Sequence, residues 1–265
     1  MAVVEGTSAL EPGFGRLFVV VGVFDGLHLG HEYLLGELRR VATEHRARPA
    51  VITFDHHPDE ILKGAAPALL CDPQERLQRL GAAGVEVTVI ETFDVALRET
   101  PYDAWIRRIA DRVELAGFLM TPESAFGYER RGTPGSVTEL GRALGYEVVV
   151  VPQFTLDGQP VRSSDIRAAI AAGDLARAER LLGRPYSVVG EGVDAGVNRV
   201  VMRFRVPVAL PPQGTYNVTF EISDSGPPQP AYAAVGSGGE LTLGTIPFEG
   251  RAEVAFVSSV ASGQV

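Results

Sequence analysis

The feature that most constrains this chain is a turn from a strand into a helix, within the sequence VVVGVFDGLHLGH from Val19 to His31. An apolar, β-branched run through Val23 predicts a buried parallel strand, and the apolar residues between Leu34 and Val41 recur at the spacing of a helix. In an open α/β sheet such a turn lies at the carboxyl edge, where ligands bind. The first amides of the helix have no partner inside it, so the sequence predicts an anion site here.

The spacing His28-Leu29-Gly30-His31 indicates that the anion bound here is a phosphate. Gly30 lets a phosphate approach the backbone, and two imidazoles three positions apart can direct donors at one phosphoryl group. The pair could instead be read as two metal ligands. However, no third ligand stands at the spacing of a zinc site, and the helix dipole favours an anion. We therefore predict no metal site built from side chains.

Composition limits the classes of function. The 265 residues are 45% hydrophobic and carry a net charge of -9, which predicts one large or two modest globular domains and argues against a nucleic-acid or anionic-membrane surface. No apolar run reaches about 18 residues, and no signal peptide is recognisable. Cys71, the single cysteine, cannot form an intrachain disulfide and suits a cytoplasmic location. The expected partners are small molecules, and the oligomeric state is left open.

Strand and helix patterns alternate as far as Val151, which predicts an α/β domain with a parallel sheet, whereas residues 1–15 read as an irregular arm. After Tyr186 the pattern becomes alternating, which predicts a small closed antiparallel barrel. We therefore expect domains at residues 1–186 and 187–265. The predicted barrel strands are Ser187–Val193, Arg199–Leu210, Thr215–Ile222, Ala231–Val235, Leu241–Ile246 and Ala252–Val257.

The first motif, GVFDGLHLGH, resembles the HxGH signature of the nucleotidylyltransferase superfamily, and its longer form is similar to that of bacterial FAD synthetases. The resemblance implies a Rossmann-like parallel-sheet domain in which His28 and His31 are catalytic. It also implies a set of nucleotide-binding residues in the same turn. These are Gly22, Phe24, Asp25, Gly26 and Gly30.

Two later loops extend the resemblance. Thr53–Pro58 reads TFDHHP where the family has TFDPHP, and Phe126–Gly132 carries the FGxxRxG pattern. The resemblance implies that both loops lie beside the flavin. The implied flavin-binding residues are Phe54, Asp55, His57, Pro58, Glu123, Phe126, Gly127 and Arg130.

A further block, Val161–Arg167, heads a predicted helix for which Ser163 or Ser164 is a natural N-cap. It resembles the superfamily motif ISSTxIR. The resemblance implies that Arg162, Ser163 and Ser164 bind the nucleotide and that Arg167 binds the leaving phosphates.

The predicted barrel resembles the riboflavin kinase module of bifunctional riboflavin kinase/FMN adenylyltransferases, and Pro212–Tyr216 is similar to that module's PxxGVY turn. The kinase motif GFPTAN, whose Thr and Asn hold Mg²⁺ and ATP phosphates, is replaced by Arg199–Phe204. We therefore expect a degenerate barrel without kinase activity.

The resemblance implies adenylyl transfer from ATP to FMN with Mg²⁺. Departures from the family pattern keep a second hypothesis open, in which the acceptor is another phosphate ester or the nucleotide is CTP. The departures are Glu123, Ser124, Arg162, Asp165 and the altered barrel. A third hypothesis is a flavin- or nucleotide-binding protein without catalysis.

Overall fold

The computed structural model describes residues 1–223, 226–245 and 247–260, which form two compact units. The first unit comprises Met1–Pro67 and Leu77–Pro160, and the second comprises Ala68–Arg76 and Val161–Val265. The helices between residues 163 and 182 thus group with the barrel. The domain boundary at residue 186 stays a prediction.

The first unit is built on a six-stranded sheet in the order β1-β4-β3-β2-β5-β6, in which all neighbouring strands are parallel. Burial is nearly continuous along the central strands, as is typical of parallel strands covered on both faces. The strands are β1 Ala2–Glu5, β2 Arg16–Val21, β3 Arg48–Phe54, β4 Val87–Glu91, β5 Glu114–Met120 and β6 Glu147–Val150. A two-stranded hairpin follows, with β7 at Thr155–Leu156 and β8 at Gln159–Pro160.

Helices connect these strands. The helices are α1 Leu29–Glu44, α2 Asp59–Lys63, α3 Pro73–Ala82, α4 Val95–Arg98, α5 Tyr102–Ala110 and α6 Pro134–Leu144. Local signals fix their ends: α6 begins with a capping box between Thr133 and Ser136 and ends at Gly145 with φ 80°. Within residues 1–223, 226–245 and 247–260, no helix combines the length and the apolar character needed to cross a membrane.

The prediction of an irregular arm over residues 1–15 was wrong in part. Ala2–Glu5 forms β1, which pairs in parallel with β4 at the sheet edge. Only Val4 of this strand is buried. Four residues with one buried side chain carry too little periodicity to be recognised as a strand.

The sheet order changes direction at β2. The chain passes from β2 to β3 on one side, whereas β5 joins the other side of β2. Such a switch point opens a crevice at the carboxyl ends of the strands. The loops that follow β3, β2 and β5, which are neighbouring strands, therefore start at the same edge of the sheet.

The second unit contains two helices and a closed antiparallel barrel in the order β10-β13-β12-β11-β14-β9. The helices are α7 Ser163–Ala171 and α8 Leu175–Leu182. The strands are β9 Ser187–Asp194, β10 Arg199–Arg203, β11 Gly214–Ile222, β12 Gln229–Val235, β13 Leu241–Gly244 and β14 Gly250–Ser259. The predicted α/β domain followed by a small barrel is confirmed. Ile246, the predicted end of one strand, lies outside the described residues.

The predicted strand Arg199–Leu210 is too long, because β10 ends at Arg203. Residues further along bond to Leu69 instead: its N–H donates to the Pro207 carbonyl and its carbonyl accepts from the Ala209 N–H, both at 2.8 Å. Pro207 has no backbone N–H to donate to a neighbouring barrel strand, so it disfavours continuation of β10.

Candidate active site

His28 caps the N-terminus of α1. Its Nδ1 accepts from the backbone N–H of His31 at 3.3 Å, and its carbonyl accepts from the N–H of Glu32 at 3.0 Å. Because Nδ1 uses its lone pair in this bond, the neutral ring carries its proton on Nε2. His28 is thus fixed as a hydrogen-bond donor through Nε2 at the start of a helix.

The imidazoles of His28 and His31 stack, with ring centroids 3.8 Å apart and planes inclined by 16°. The ring of Phe24 covers His31 at 5.0 Å. Within the described residues, Nδ1 of His31 is buried without a hydrogen-bond partner. Burial lowers the pKa of His31 well below its usual 6.5, and the neighbouring His28 lowers it further. His31 is therefore neutral near pH 7.

The turn before this helix holds an unusual backbone conformation. Phe24 and Leu27, neither of them glycine, have φ of 54° and 37°, and Gly26 has φ of 80°. A left-handed conformation costs on the order of 1 to 3 kcal/mol at each non-glycine residue and persists only where the surroundings impose it. Phe24 and Leu27 are both buried, which supplies part of that constraint.

The neighbouring strand β3 supplies another part. The hydroxyl of Thr53, which is fully buried, donates to the Val23 carbonyl at 3.0 Å, and the Gly22 N–H donates to the Ile52 carbonyl at 3.0 Å. Thr53 is the first residue of the TFDHHP motif, but its contact with the turn before α1 was not predicted. The available signal was a hydroxyl-bearing residue at the end of an apolar strand.

The other predicted nucleotide-binding residues of the first unit lie in the same turn. A Cβ at Gly22 would lie 3.0 Å from Cε2 of Phe24, so a side chain there would displace the ring that covers His31. Asp25 is buried, and Gly30 lies in the first turn of α1. The structure therefore gathers this part of the predicted site into one turn, while the residues' roles stay predictions.

The loop after β3 is held by Asp55. Its Oδ1 accepts from the N–H groups of His56 at 2.7 Å and Phe93 at 3.1 Å. Burial acts to raise the pKa of Asp55, but the hydrogen bonds from Phe93 and His56 outweigh it, and the pKa is lowered. Asp55 is thus ionised near neutral pH and fixes the shape of its own loop.

The remaining residues of this loop are held as well. Nδ1 of His57 accepts from the Asp59 N–H at 3.2 Å, next to Pro58 at the start of α2. The ring of Phe54 meets Phe93 edge-on at 5.3 Å. Sequence analysis missed Phe93, which comes from the segment after β4 and therefore had no motif to mark it.

The loop after β5 is anchored by Phe126. Its ring packs edge-on against Trp105 at 5.3 Å and lies 5.9 Å from Phe118, and its backbone exchanges hydrogen bonds with Gly132. The ring is partly buried against the hydrophobic core. Part of its function is therefore to fix the loop, and contact with a flavin stays a prediction.

Gly127 and Arg130 shape the same loop. Gly127 has φ of 74°, and a Cβ there would lie 2.6 Å from the backbone nitrogen of Tyr102. Arg130 is exposed, has φ of 56°, and donates from Nη2 to the Glu123 carbonyl at 3.4 Å. The predicted flavin-binding residues of this loop thus lie on a constrained backbone, with Glu123 and Arg130 at its surface.

The block Val161–Arg167 belongs to the second unit. The predicted N-cap at Ser163 or Ser164 was wrong: α7 begins one residue earlier, because Arg162 has extended φ/ψ and its carbonyl accepts from the Asp165 N–H. Nε of Arg167 donates to the Ala68 carbonyl at 2.8 Å, a partner that sequence analysis missed. Binding of phosphates by this block stays a prediction.

The described residues contain no group of three or more His, Cys, Asp or Glu side chains that could hold a metal ion.

The sequence is similar to those of known proteins. The family model for FAD synthetase matches residues 14–165. A bifunctional riboflavin kinase/FMN adenylyltransferase from Haemophilus influenzae is 33% identical over 174 residues, which is 65% of this chain and 56% of that protein. The enzyme of the same description from Pseudomonas fluorescens is 29% identical over 246 residues, or 89% of this chain and 78% of that protein.

The fold also matches a solved structure. The crystal structure of a macrolide-efflux protein from Streptococcus pneumoniae superposes with a TM-score of 0.82, covering 98% of this chain and 90% of that chain. At 21% sequence identity, this similarity concerns the fold alone.

Proposed function

Because this chain belongs to the FAD synthetase family, we propose that it is an FMN adenylyltransferase, which makes FAD and pyrophosphate from FMN and ATP. A phosphate oxygen of FMN attacks the α-phosphorus of ATP. The bond from that phosphorus to the oxygen bridging to the β-phosphate breaks, and pyrophosphate leaves. The observation that carries the proposal is the stacked imidazole pair at the start of α1, with His28 fixed as a donor.

His28 acts as a donor in this proposal and not as a base. A phosphate monoester is largely anionic near pH 7, so its oxygen needs no deprotonation before attack. The Nε2–H of His28, together with His31 and the amides at the start of α1, stabilises charge that develops on the phosphoryl oxygens. Fixing these donors before the reaction avoids reorganisation during it.

The other predicted residues take the roles that the family resemblance implies. The residues proposed to bind the nucleotide are, in the first unit, Gly22, Phe24, Asp25, Gly26 and Gly30 and, in the second unit, Arg162, Ser163 and Ser164. Arg167 is proposed to bind the leaving phosphates. Phe54, Asp55, His57, Pro58, Glu123, Phe126, Gly127 and Arg130 hold FMN. Mg²⁺ enters with ATP as part of the substrate and neutralises phosphate charge. We also propose a cytoplasmic location.

We propose further that the barrel lacks riboflavin kinase activity. Its segment Arg199–Phe204 does not carry the kinase motif, and Pro207 and Ala209 bond to Leu69. Incubation with riboflavin, ATP and Mg²⁺ should yield no FMN. Formation of FMN would overturn this part of the proposal without affecting the adenylyl transfer.

The test of adenylyl transfer follows FAD and pyrophosphate in a mixture of the purified protein with FMN, ATP and Mg²⁺. His28→Asn is the informative variant, since asparagine is a good N-cap but lacks the Nε2 donor. Losing a donor to the transition state typically costs about 3 to 4 kcal/mol. We expect kcat to fall at least about a hundredfold in His28→Asn and His28→Ala, while His28→Asn, which keeps a cap for α1, loses less thermal stability than His28→Ala.

The same assay separates the other hypotheses. If pyrophosphate forms only with CTP, CTP replaces ATP as the nucleotide substrate. If it forms only with another phosphate ester, that ester replaces FMN as the acceptor, a possibility kept open by Glu123 and Ser124. Binding without any pyrophosphate would indicate a protein that binds flavin or nucleotide without catalysis. Full activity in His28→Asn would contradict the role of the imidazole pair.

A further inference from the structure

We propose that the barrel positions Arg167 through the segment Ala68–Asp72, here called the strap, and that Asp72 and Arg251 are positioning residues for adenylyl transfer. The inference rests on the proposed function, in which Arg167 binds the leaving phosphates. All the contacts that carry it lie within the second unit.

The first contact joins Arg167 to the strap. Nε of Arg167 donates to the carbonyl oxygen of Ala68 at 2.8 Å. A guanidinium is planar and rigid, so a bond that fixes Nε also restricts the directions in which Nη1 and Nη2 can donate. Movement of the Ala68 carbonyl would therefore redirect the donors of Arg167.

The second contact joins the strap to the segment after β10. The N–H of Leu69 donates to the Pro207 carbonyl, and the carbonyl of Leu69 accepts from the Ala209 N–H, each at 2.8 Å. Leu70 and Cys71, the next residues, are buried. Two backbone hydrogen bonds next to Ala68 thus set the position of its carbonyl.

The third contact fixes the far end of the strap. Nη2 of Arg251 on β14 bonds to Oδ1 of Asp72 at 2.9 Å, and the same oxygen accepts from the N–H groups of Gln74 at 2.9 Å and Glu75 at 3.2 Å. The side chain of Asp72 is only 8% exposed, and that of Arg251 is 21% exposed. A carboxylate this buried depends on its charged partner.

These contacts give the barrel a function that needs no kinase chemistry. The barrel supplies Arg251 from β14, and the segment after β10 pairs with Leu69. Both contacts hold the strap in place, and the strap in turn fixes the Ala68 carbonyl that accepts from Arg167. Losing the Arg251 side chain leaves the Asp72 carboxylate without its guanidinium, which favours movement of the strap.

The test is a double-mutant cycle between Arg251 and Arg167, measured as kcat/KM for ATP and as KM for FMN. A small misplacement of a group that contacts the reacting phosphates can lower the reaction rate by up to about a hundredfold. We expect Arg251→Gln to lower kcat/KM for ATP roughly ten- to a hundredfold with KM for FMN unchanged. Arg203→Gln, an exposed arginine of β10, is the matched control and should retain the parental values.

The cycle distinguishes positioning from stability. In an Arg167→Ala background, Arg251→Gln should cause little further loss, because the group that it positions is absent. A full multiplicative loss in that background, or parental kinetics in Arg251→Gln, would overturn the inference. If Arg251→Gln does not fold by circular dichroism, Asp72→Asn takes its place, since asparagine retains the capping oxygen and removes the charge.

Failure of the proposed function gives a different result. If the parental protein forms no FAD, or if Arg167→Ala retains full activity, the proposed function of Arg167 fails and the inference fails with it. If Arg167→Ala loses activity while Arg251→Gln does not, the inference alone fails.

Discussion

The imidazole of His31, whose Nδ1 is buried, makes the stability of this protein depend on pH in a defined direction. Its pKa in the folded protein lies well below 6.5, so the unfolded chain takes up a proton more readily than the folded one. The stabilisation is complete above the unfolded pKa and is lost as the pH falls towards the folded pKa. Acidification from pH 7.5 to pH 5.5 should therefore destabilise the protein.

The size of this effect follows from proton linkage. One proton bound only by the unfolded state lowers the free energy of unfolding by about 1.4 kcal/mol per pH unit below the unfolded pKa. Between pH 7.5 and pH 5.5, about 1.4 kcal/mol is therefore the upper bound on the contribution of His31. Asp55, whose pKa is lowered from 3.8, titrates below this window and does not contribute to it.

Urea denaturation followed by circular dichroism at the two pH values measures the effect. His31→Gln removes the titrating ring, so its free energy of unfolding should change less between pH 7.5 and pH 5.5 than that of the parent, by up to about 1.4 kcal/mol. His56→Gln is the control, because His56 is exposed, and it should keep the parental difference. Equal pH dependence in the parent and His31→Gln would refute the reasoning from burial.

Two further substitutions test how the loops of the first unit are held. Thr53→Val should lower the free energy of unfolding by about 0.5 to 1.5 kcal/mol in urea denaturation, because the hydrogen bond from the buried Thr53 hydroxyl to the Val23 carbonyl is lost. Thr53→Ser keeps a hydroxyl and should lower it less. Gly127→Ala should lower the free energy of unfolding by at least about 1 to 3 kcal/mol, since φ of 74° is unfavourable for alanine and its Cβ would clash with Tyr102. Gly135→Ala is the control and should be tolerated in the same experiment, because a Cβ there would have no neighbour closer than 4.0 Å. Parental stability in Thr53→Val or Gly127→Ala would contradict the respective explanation.

The strand-to-helix turn at the centre of the site was predictable because both halves carry strong local patterns. β2 is a continuous apolar run, α1 has a helical repeat, and the histidines lie where one pattern changes into the other. The alternation after Tyr186 likewise predicted the barrel. Patterns of this kind depend on which face of an element is buried, and that information is present in the sequence.

Other features depend on contacts between distant segments and were not predictable. β1 is a strand because β4 offers it an edge, and β10 ends at Arg203 while the segment beyond it pairs with Leu69. The stacking of His28 on His31 and the hydrogen bond that fixes the tautomer of His28 depend on side-chain orientations that the spacing of the two residues does not determine. Thr53 opens the TFDHHP motif, but its role was not predictable, since its partner is a backbone carbonyl of another segment.

Trp105 is the single tryptophan of the chain, and it lies in the first unit, buried edge-on against Phe126. Its fluorescence therefore arises from one position, in contact with the loop after β5. The barrel contributes no tryptophan emission. Loss of the native emission spectrum during denaturation reports on the parallel-sheet unit alone, so comparison with a signal from the whole chain reveals whether the two units unfold together or one after the other.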